Sequence, residues 1–349
     1  MKLGLLGFPQ VGKRSLFHLL TGQELHTEAR DNRLGLAQVR DPRFDRLCTM
    51  YLPQKTTPAQ VEFILLPDLE LESIRNTEIF NELDRVDAIC HLVRAFDDDT
   101  VFHIDGSVDA GRDIRRLDEE LQLNDLIFIE KRLERLSKER SKKADLARME
   151  QETELLGRMQ NHLETGHPLT KFSLTEVEER LIASYPFLTR KPIIIVLNIS
   201  EAQLTNDKVL TSVQNEFDQR GFQWVVVSAR IEEELIELET EEREAFLEDL
   251  GLTEPTLDRL TQVCYATLGL ISFFTVGQDE VRAWTIPRGS LGPQAGGAIH
   301  SDIERGFIRC ETMTYDDLIT LGDEHKVKDA GKLSQKGRDY EVKDGDILH

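Results

Sequence analysis

The sequence predicts an α/β protein: a doubly wound, mainly parallel sheet, an inserted antiparallel helical coiled coil, and a separate small α+β domain at the end. Three observations carry this. The chain opens MKLGLLGFPQVGKRSLFHLL, where an apolar run ends at Gly7, a loop reaches Gly12, Lys13 follows, and Leu16, Phe17, Leu19 and Leu20 repeat at helical spacing. Apolar runs at 61–66, 88–93, 192–197 and 224–227 then alternate with helical stretches, which implies parallel strands with ligand sites at their C-terminal ends. Between the fourth and fifth strands, Asp113 to Tyr185 carries long helical stripes instead.

The opening is built for a polyphosphate. Glycines let backbone N–H groups close around an anion, a helix N-terminus adds partial positive charge, and Lys13 adds a full one. The residues in question are Gly7, Gln10, Val11, Gly12, Lys13, Arg14 and Ser15. The pattern G-x-x-x-x-G-K-S/T breaks at its last place, where Arg14 stands for the hydroxyl that would hold magnesium and Ser15 comes one residue late. The motif thus argues for a phosphate cradle more than for metal-assisted hydrolysis. Two plainer readings compete: incidental glycines in a strand–turn–helix, and a cradle inherited but no longer used.

Size and composition bound the rest. A chain of 349 residues suggests two or three domains. A formal net charge of −21 excludes a protein that coats a polyanion with its whole surface and leaves room only for a local basic patch. Cys48, Cys90, Cys264 and Cys310 are scattered without a C-x-x-C pair, so neither a zinc site nor a disulfide framework is indicated. The first apolar run is too short for a signal peptide, and nothing later approaches a membrane span of about eighteen apolar residues. The expectation is a cytoplasmic protein with no membrane partner.

Taken in order, Thr21 to Arg33 is polar, and Leu34, Leu36 and Val39 alternate as a strand closed by Asp41-Pro42-Arg43. The run 61–66 ends at Pro67, an acidic helix follows from Thr77 to Arg85, and 88–93 is a buried strand. In the insertion, Leu117, Leu121, Leu126, Ile129, Leu133 and Leu136 make one stripe, and Leu146, Met149, Leu156, Met159 and Leu163 a second. Two helices with a polar turn near Ser141 would bury one stripe on the other. The distal part is basic: Lys131, Arg132, Arg135, Lys138, Arg140, Lys142, Lys143 and Arg148. A solvated helical face explains such a run as well as a contact with RNA does.

Strands at 192–197 and 224–227 flank a helical stretch from Asp207 to Gln219. Glu232 to Asp249 holds ten carboxylates and one arginine, with Leu235, Leu238, Phe246 and Leu250 at helical spacing, and its carboxylates read as solvated. From Ile271 the texture turns to short β-type runs and a glycine-rich stretch. The expected domains are 1–112 with 186–268, the insertion 113–185, and 269–349.

With these motifs in view, the chain resembles the YchF family, the Obg-like ATPases of the translation-factor class of P-loop NTPases. The resemblance rests on GFPQVGKRSLF, DPRFDRL, VDAICHLVRAF, KPIIIVLNISE and VVVSARIEEEL, and above all on FFTVGQDEVRAWTIPRGSLGPQAGGAIHSDIERGFIRCE, which looks like the family's TGS domain, a ubiquitin-like module. It implies a G domain that takes ATP or GTP. The base-reading motif would be Asn198-Ile199-Ser200-Glu201, with Ser228, Ala229 and Arg230 as the second base loop. The glutamate replaces the shorter aspartate that suits guanine, so ATP is implied at least as readily as GTP. Ribosome or RNA contacts through the basic tip and the TGS domain are implied too. By the same resemblance, the chain stops at His349 before the family's closing strand is complete.

The metal half departs from the family. Its D-x-A-G-L stands here as Leu65-Leu66-Pro67-Asp68-Leu69, and both switch stretches read as short. Leu65 offers no oxygen for magnesium, and Asp68 stands where a glycine amide would meet the γ-phosphate. A carboxylate about 4 Å from a phosphate charge would be repelled by roughly 4 kcal/mol at an effective dielectric near 20. Asp68 is the sole metal candidate, through a shift of register, and Arg14 could itself serve as the cation. Leu69 takes the place of a water-positioning glutamine, which leaves no catalytic residue identified. His26 and His91 are candidates by type alone. Three functions follow: a nucleotide-binding regulator with weak or lost hydrolysis, an ATPase or GTPase with rearranged metal ligands, or a scaffold that needs no nucleotide.

Overall fold

The computed structural model describes residues 1–25, 33–69, 77–138, 146–204 and 208–349. His26, Arg140, Lys142, Lys143 and Asp207 lie outside these, as do 26–32 and 70–76, next to the switch stretches. The described chain forms two compact units, Met1–Gly35 with Phe63–Thr256, and Leu36–Glu62 with Leu257–His349. None of the described helices is long and apolar enough to cross a membrane.

The chain runs β1 (Lys2–Leu6), α1 (Lys13–Thr21), β2 (Arg33–Gln38), α2 (Pro42–Tyr51), β3 (Lys55–Thr57), β4 (Gln60–Leu65), α3 (Thr77–Asp84), β5 (Ala88–Arg94), α4 (Ala110–Lys138), α5 (Leu146–Glu164), α6 (Glu176–Ile182), β6 (Ile193–Asn198), α7 (Glu201–Leu204), α8 (Lys208–Glu216), β7 (Gln223–Val227), α9 (Ala229–Glu237) and α10 (Thr240–Asp249). One sheet has the order β2-β4-β1-β5-β6-β7. Its pairs β1/β5, β5/β6 and β6/β7 are parallel, with Leu6 opposite His91, His91 opposite Ile195 and Asn198 opposite Val227. Every residue of β5 is buried. That is why this strand reads as a continuous apolar run rather than an alternation.

The insertion is the expected helical pair with more packed on it. Ile129 and Leu136 of α4 meet Leu155, Leu156, Met159 and Leu163 of α5, and Leu169, Ile182 and Phe187 add to the same core. Leu146 is exposed instead of buried. Asp125 of α4 is fully buried and accepts hydrogen bonds from the Leu188 and Thr189 amides, each 2.9 Å, and from the Thr189 hydroxyl at 2.7 Å. Within the basic set, Lys131, Arg135, Lys138 and Arg148 are exposed. Arg132 is not part of a free surface: its Nε donates to Glu152 at 2.6 Å and to the Tyr185 hydroxyl at 3.0 Å, so its charge is spent holding the helices together.

The acidic stretch forms two helices, α9 and α10, and its carboxylates are not all solvated. Glu232 is buried and accepts from the amide and hydroxyl of Thr256, both 2.6 Å. A carboxylate there satisfies donors at the start of the next helix, which water would otherwise have to reach.

The second unit adds α11 (Thr256–Thr267), β8 (Leu270–Thr275), β9 (Glu280–Pro287), α12 (Gly292–Ile299), α13 (Ser301–Gly306), β10 (Cys310–Thr314), α14 (Tyr315–Leu321), α15 (Glu324–Asp329), β11 (Ser334–Lys336) and β12 (Asp346–Leu348). Its sheet runs β11-β10-β12-β8-β9-β3. Two expectations change here. Residues 36–62 group with the C-terminal part, and the division falls at Thr256/Leu257 rather than near Leu268. The physical reason lies in α2 and β3. β3 pairs in parallel with β9, and Arg43 binds Asp41 at 2.8 Å and Asp344 at 3.0 Å while lying 5.6 Å from the Phe274 ring centroid. The final strand, β12, pairs with β10 on one side and β8 on the other.

Candidate functional site

The glycine loop leaves β1 at Gly7 and enters α1 at Lys13. Leu3, Leu5 and Leu6 below it and Leu16 and Phe17 beyond it are fully buried, which fixes both ends. A Cβ on Gly7 would stand 2.6 Å from the Leu92 carbonyl, so only glycine lets the loop start this close to β5. Val11 is buried and anchors the middle, whereas Gln10 is exposed at the tip with φ 63°, the left-handed region few side chains adopt. Gly12, at φ 90°, turns the chain into the helix. The first amides of α1, from Lys13, Arg14 and Ser15, therefore lack intrahelical acceptors and face the loop end of the helix.

Lys13 is buried at this turn. Its Nζ donates to the Leu66 carbonyl at 2.7 Å and lies 2.7 Å from Asp68 Oδ1. Burial pushes its pKa below the ordinary lysine value, and Asp68 works against that shift. The Asp68 segment is itself pinned to the loop: the Leu66 amide donates to Leu5 O and the Leu69 amide to Gly7 O, both 3.0 Å, with Leu65, Leu66 and Leu69 buried. The carboxylate expected to face a phosphate thus holds the lysine instead, because an ammonium buried in an apolar turn needs a counter-charge.

The base-reading residues divide. Asn198 ends β6, is buried, donates from Nδ2 to Val11 O at 2.9 Å and accepts at Oδ1 from the Ala229 amide at 3.1 Å. It brackets the glycine loop and the 228–230 loop. Ser228 is buried and its hydroxyl has no hydrogen-bond partner among the described residues. Glu201 and Arg230 are exposed, and Arg230 lies 3.6 Å from Glu234 rather than over the site. The structure brings Gly7, Val11, Gly12, Lys13, Asn198, Ser228 and Ala229 together, while Gln10, Arg14, Glu201 and Arg230 lie on the surface.

Two supporting residues escape a sequence reading. Arg94 is buried at the end of β5 and donates to the carbonyls of Phe96, Asp98, Val101 and Phe102. Gln203 accepts from the Ser200 amide at 2.8 Å and donates to Ala95 O at 2.8 Å, fixing the 198–203 turn. For Arg94 a signal exists: a lone cation closing the apolar strand AICHLVR. Gln203 carries none.

A magnesium site of the expected kind does not fit. Leu65 is an apolar, buried side chain, Arg14 is exposed, and no group of three metal-ligating side chains occurs among the described residues. The groups present that could hold a phosphate are the glycine turn, the helix amides and Lys13.

His91 stands apart from this chemistry. It is fully buried in β5, neither ring nitrogen has a hydrogen-bond partner among the described residues, and desolvation lowers its pKa to about 3. Since the folded value lies below the unfolded one near 6.5, the unfolded chain takes up the proton first. Its share of stability is intact above about pH 6.5 and is lost as pH falls towards 3. Wild type should therefore lose about 2 kcal/mol more than His91→Leu between pH 7 and pH 5, read from urea unfolding of both proteins.

The C-terminal residues 270–349 match a family model described as "YchF-GTPase_C: Protein of unknown function (DUF933)". The Ribosome-binding ATPase YchF of Bacillus subtilis is 37% identical, covering 99% of this chain and 97% of that protein. Obg-like ATPase 1 of Homo sapiens is 34% identical, covering 100% and 91%. The solved Schizosaccharomyces pombe YchF GTPase has a TM-score of 0.87 at 32% identity, covering 100% of this chain and 97% of that one. A Pyrococcus horikoshii GTP binding protein shares the fold at TM-score 0.60 and 21% identity, covering 100% and 98%. With this identity and fold shared over nearly the whole length, this chain belongs to the YchF/Obg-like ATPase family.

Proposed function

We propose that this protein binds a purine nucleotide, ATP or GTP, in the loop from Gly7 to Ser15, hydrolyses it weakly or not at all, and acts as a regulator at the ribosome. One observation supports the reading: Gly7, the turn at Gly12 and the buried Lys13 keep the phosphate-loop pattern, while Leu65 and Arg14 stand where the resemblance puts the metal-holding groups. Phosphoryl transfer depends on neutralising charge as much as on position, and a metal ordinarily supplies most of that. Asn198, Ser228 and Ala229 would border the base. The ribosome as partner is favoured by the names of the relatives and by Lys131, Arg135, Lys138 and Arg148, exposed on the helical pair of an acidic protein.

Titration with a fluorescent nucleotide, with and without magnesium, tests the binding claim. Lys13→Ala should weaken it by roughly ten- to a hundredfold, the worth of one charge-assisted contact. Phosphate release should stay near background under both conditions. No binding at millimolar nucleotide would overturn the reading, and magnesium-dependent turnover lost in Lys13→Ala would replace it with an active hydrolase.

A further inference from the structure

We infer that Asp68 stands in for a terminal phosphate, so that the site selects nucleoside diphosphates over triphosphates; this rests on the nucleotide-binding reading above. The lysine of such a loop normally reaches the β- and γ-phosphates. Here an oxygen of Asp68 already lies 2.7 Å from Lys13 Nζ, as a phosphate oxygen would. An ammonium has three donors. Leu66 O and Asp68 take two, which leaves one for a ligand.

The carboxylate is held there by backbone, not by a long side chain free to swing. Leu66 and Leu69 on either side are buried, and their amides bond Leu5 O and Gly7 O. Asp68 itself stays half exposed, so it borders the opening of the turn rather than its floor. A diphosphate could use the helix amides and the remaining Lys13 donor with the Lys13–Asp68 pair unbroken. A triphosphate would bring its last charge to the carboxylate and compete with it for the Lys13 ammonium. No carboxylate at position 65 and no hydroxyl at position 14 is present to fix a divalent ion that would soften the conflict.

Calorimetric titration of the full chain with ADP, ATP, GDP and GTP, with and without magnesium, is the test, using wild type, Asp68→Asn and Asp68→Gly. Wild type should prefer the diphosphate of either base by about tenfold or more, the size of one charge-assisted contact. Both variants should shift that ratio at least about tenfold towards the triphosphate, chiefly by tighter triphosphate binding, and circular dichroism should report unchanged folding. Equal affinities in wild type, or a ratio unmoved by Asp68→Asn, would overturn the inference while leaving nucleotide binding standing. Folded proteins that bind none of the four ligands would overturn the nucleotide reading itself.

Discussion

Replacing Gly12 by alanine is expected to cost the glycine loop about 4 kcal/mol of stability and to weaken nucleotide binding with it. Two costs combine. At φ 90° an L side chain is strained by about 1–2 kcal/mol. The new Cβ would also stand 2.5 Å from Asn198 Nδ2, so that side chain must move. Its bonds to Val11 O and to the Ala229 amide then weaken, and each buried partner left unsatisfied costs about 1–3 kcal/mol. A total of about 4 kcal/mol is a cost to the folded loop, and affinity falls to the extent that the free loop relaxes away from its binding geometry to escape that cost.

Gly22→Ala is the control. It lies at φ 68° with nothing within 4 Å of its added Cβ, so it bears backbone strain without the collision. It should lower the melting temperature and leave nucleotide binding unchanged. Fluorescent-nucleotide titration beside thermal unfolding separates the two, and wild-type affinity in a folded Gly12→Ala protein would refute the bracket.

Removing the Asp125 carboxylate should cost about 3 kcal/mol of stability in Asp125→Ala. Two amides and a hydroxyl converge on it, and Thr189 passes the connection on by accepting from the Leu169 amide at 3.2 Å. Alanine leaves all of these donors buried without an acceptor. Asp125→Asn keeps one acceptor oxygen and should cost less.

The pH dependence has a definite sign. Burial raises the Asp125 pKa to about 6, above the unfolded value near 3.8. The native state therefore holds the extra proton in that window. The contribution is full below about pH 3.8 and shrinks as pH rises through 6. The penalty of Asp125→Ala should accordingly be larger at pH 5 than at pH 7.5, in urea unfolding at both values. A penalty that grew with pH would contradict this account.

The sequence alone determined the parts that depend on neighbours along the chain. Strand, glycine loop and helix from Lys2 to Thr21 are written in local spacing, as are the buried runs of β5 and β6 and the apolar stripes of α4 and α5. So is the family, whose motifs are contiguous. What only the tertiary structure decided are the pairings between distant residues. Asp68 reads as a carboxylate aimed at phosphate until the fold sets it against Lys13, and no local spacing shows that Asn198 spans Val11 and Ala229. Arg132 reads as part of a basic tip until Glu152 and Tyr185 claim it, and Glu232 as solvated until Thr256 covers it. Residues 36–62 follow the same logic, because Arg43 meets Asp344 only across the folded unit. Local propensity sets which element a residue joins. The partner of a charge is set by which groups folding removes from water together, and burial then penalises any charge left unpaired.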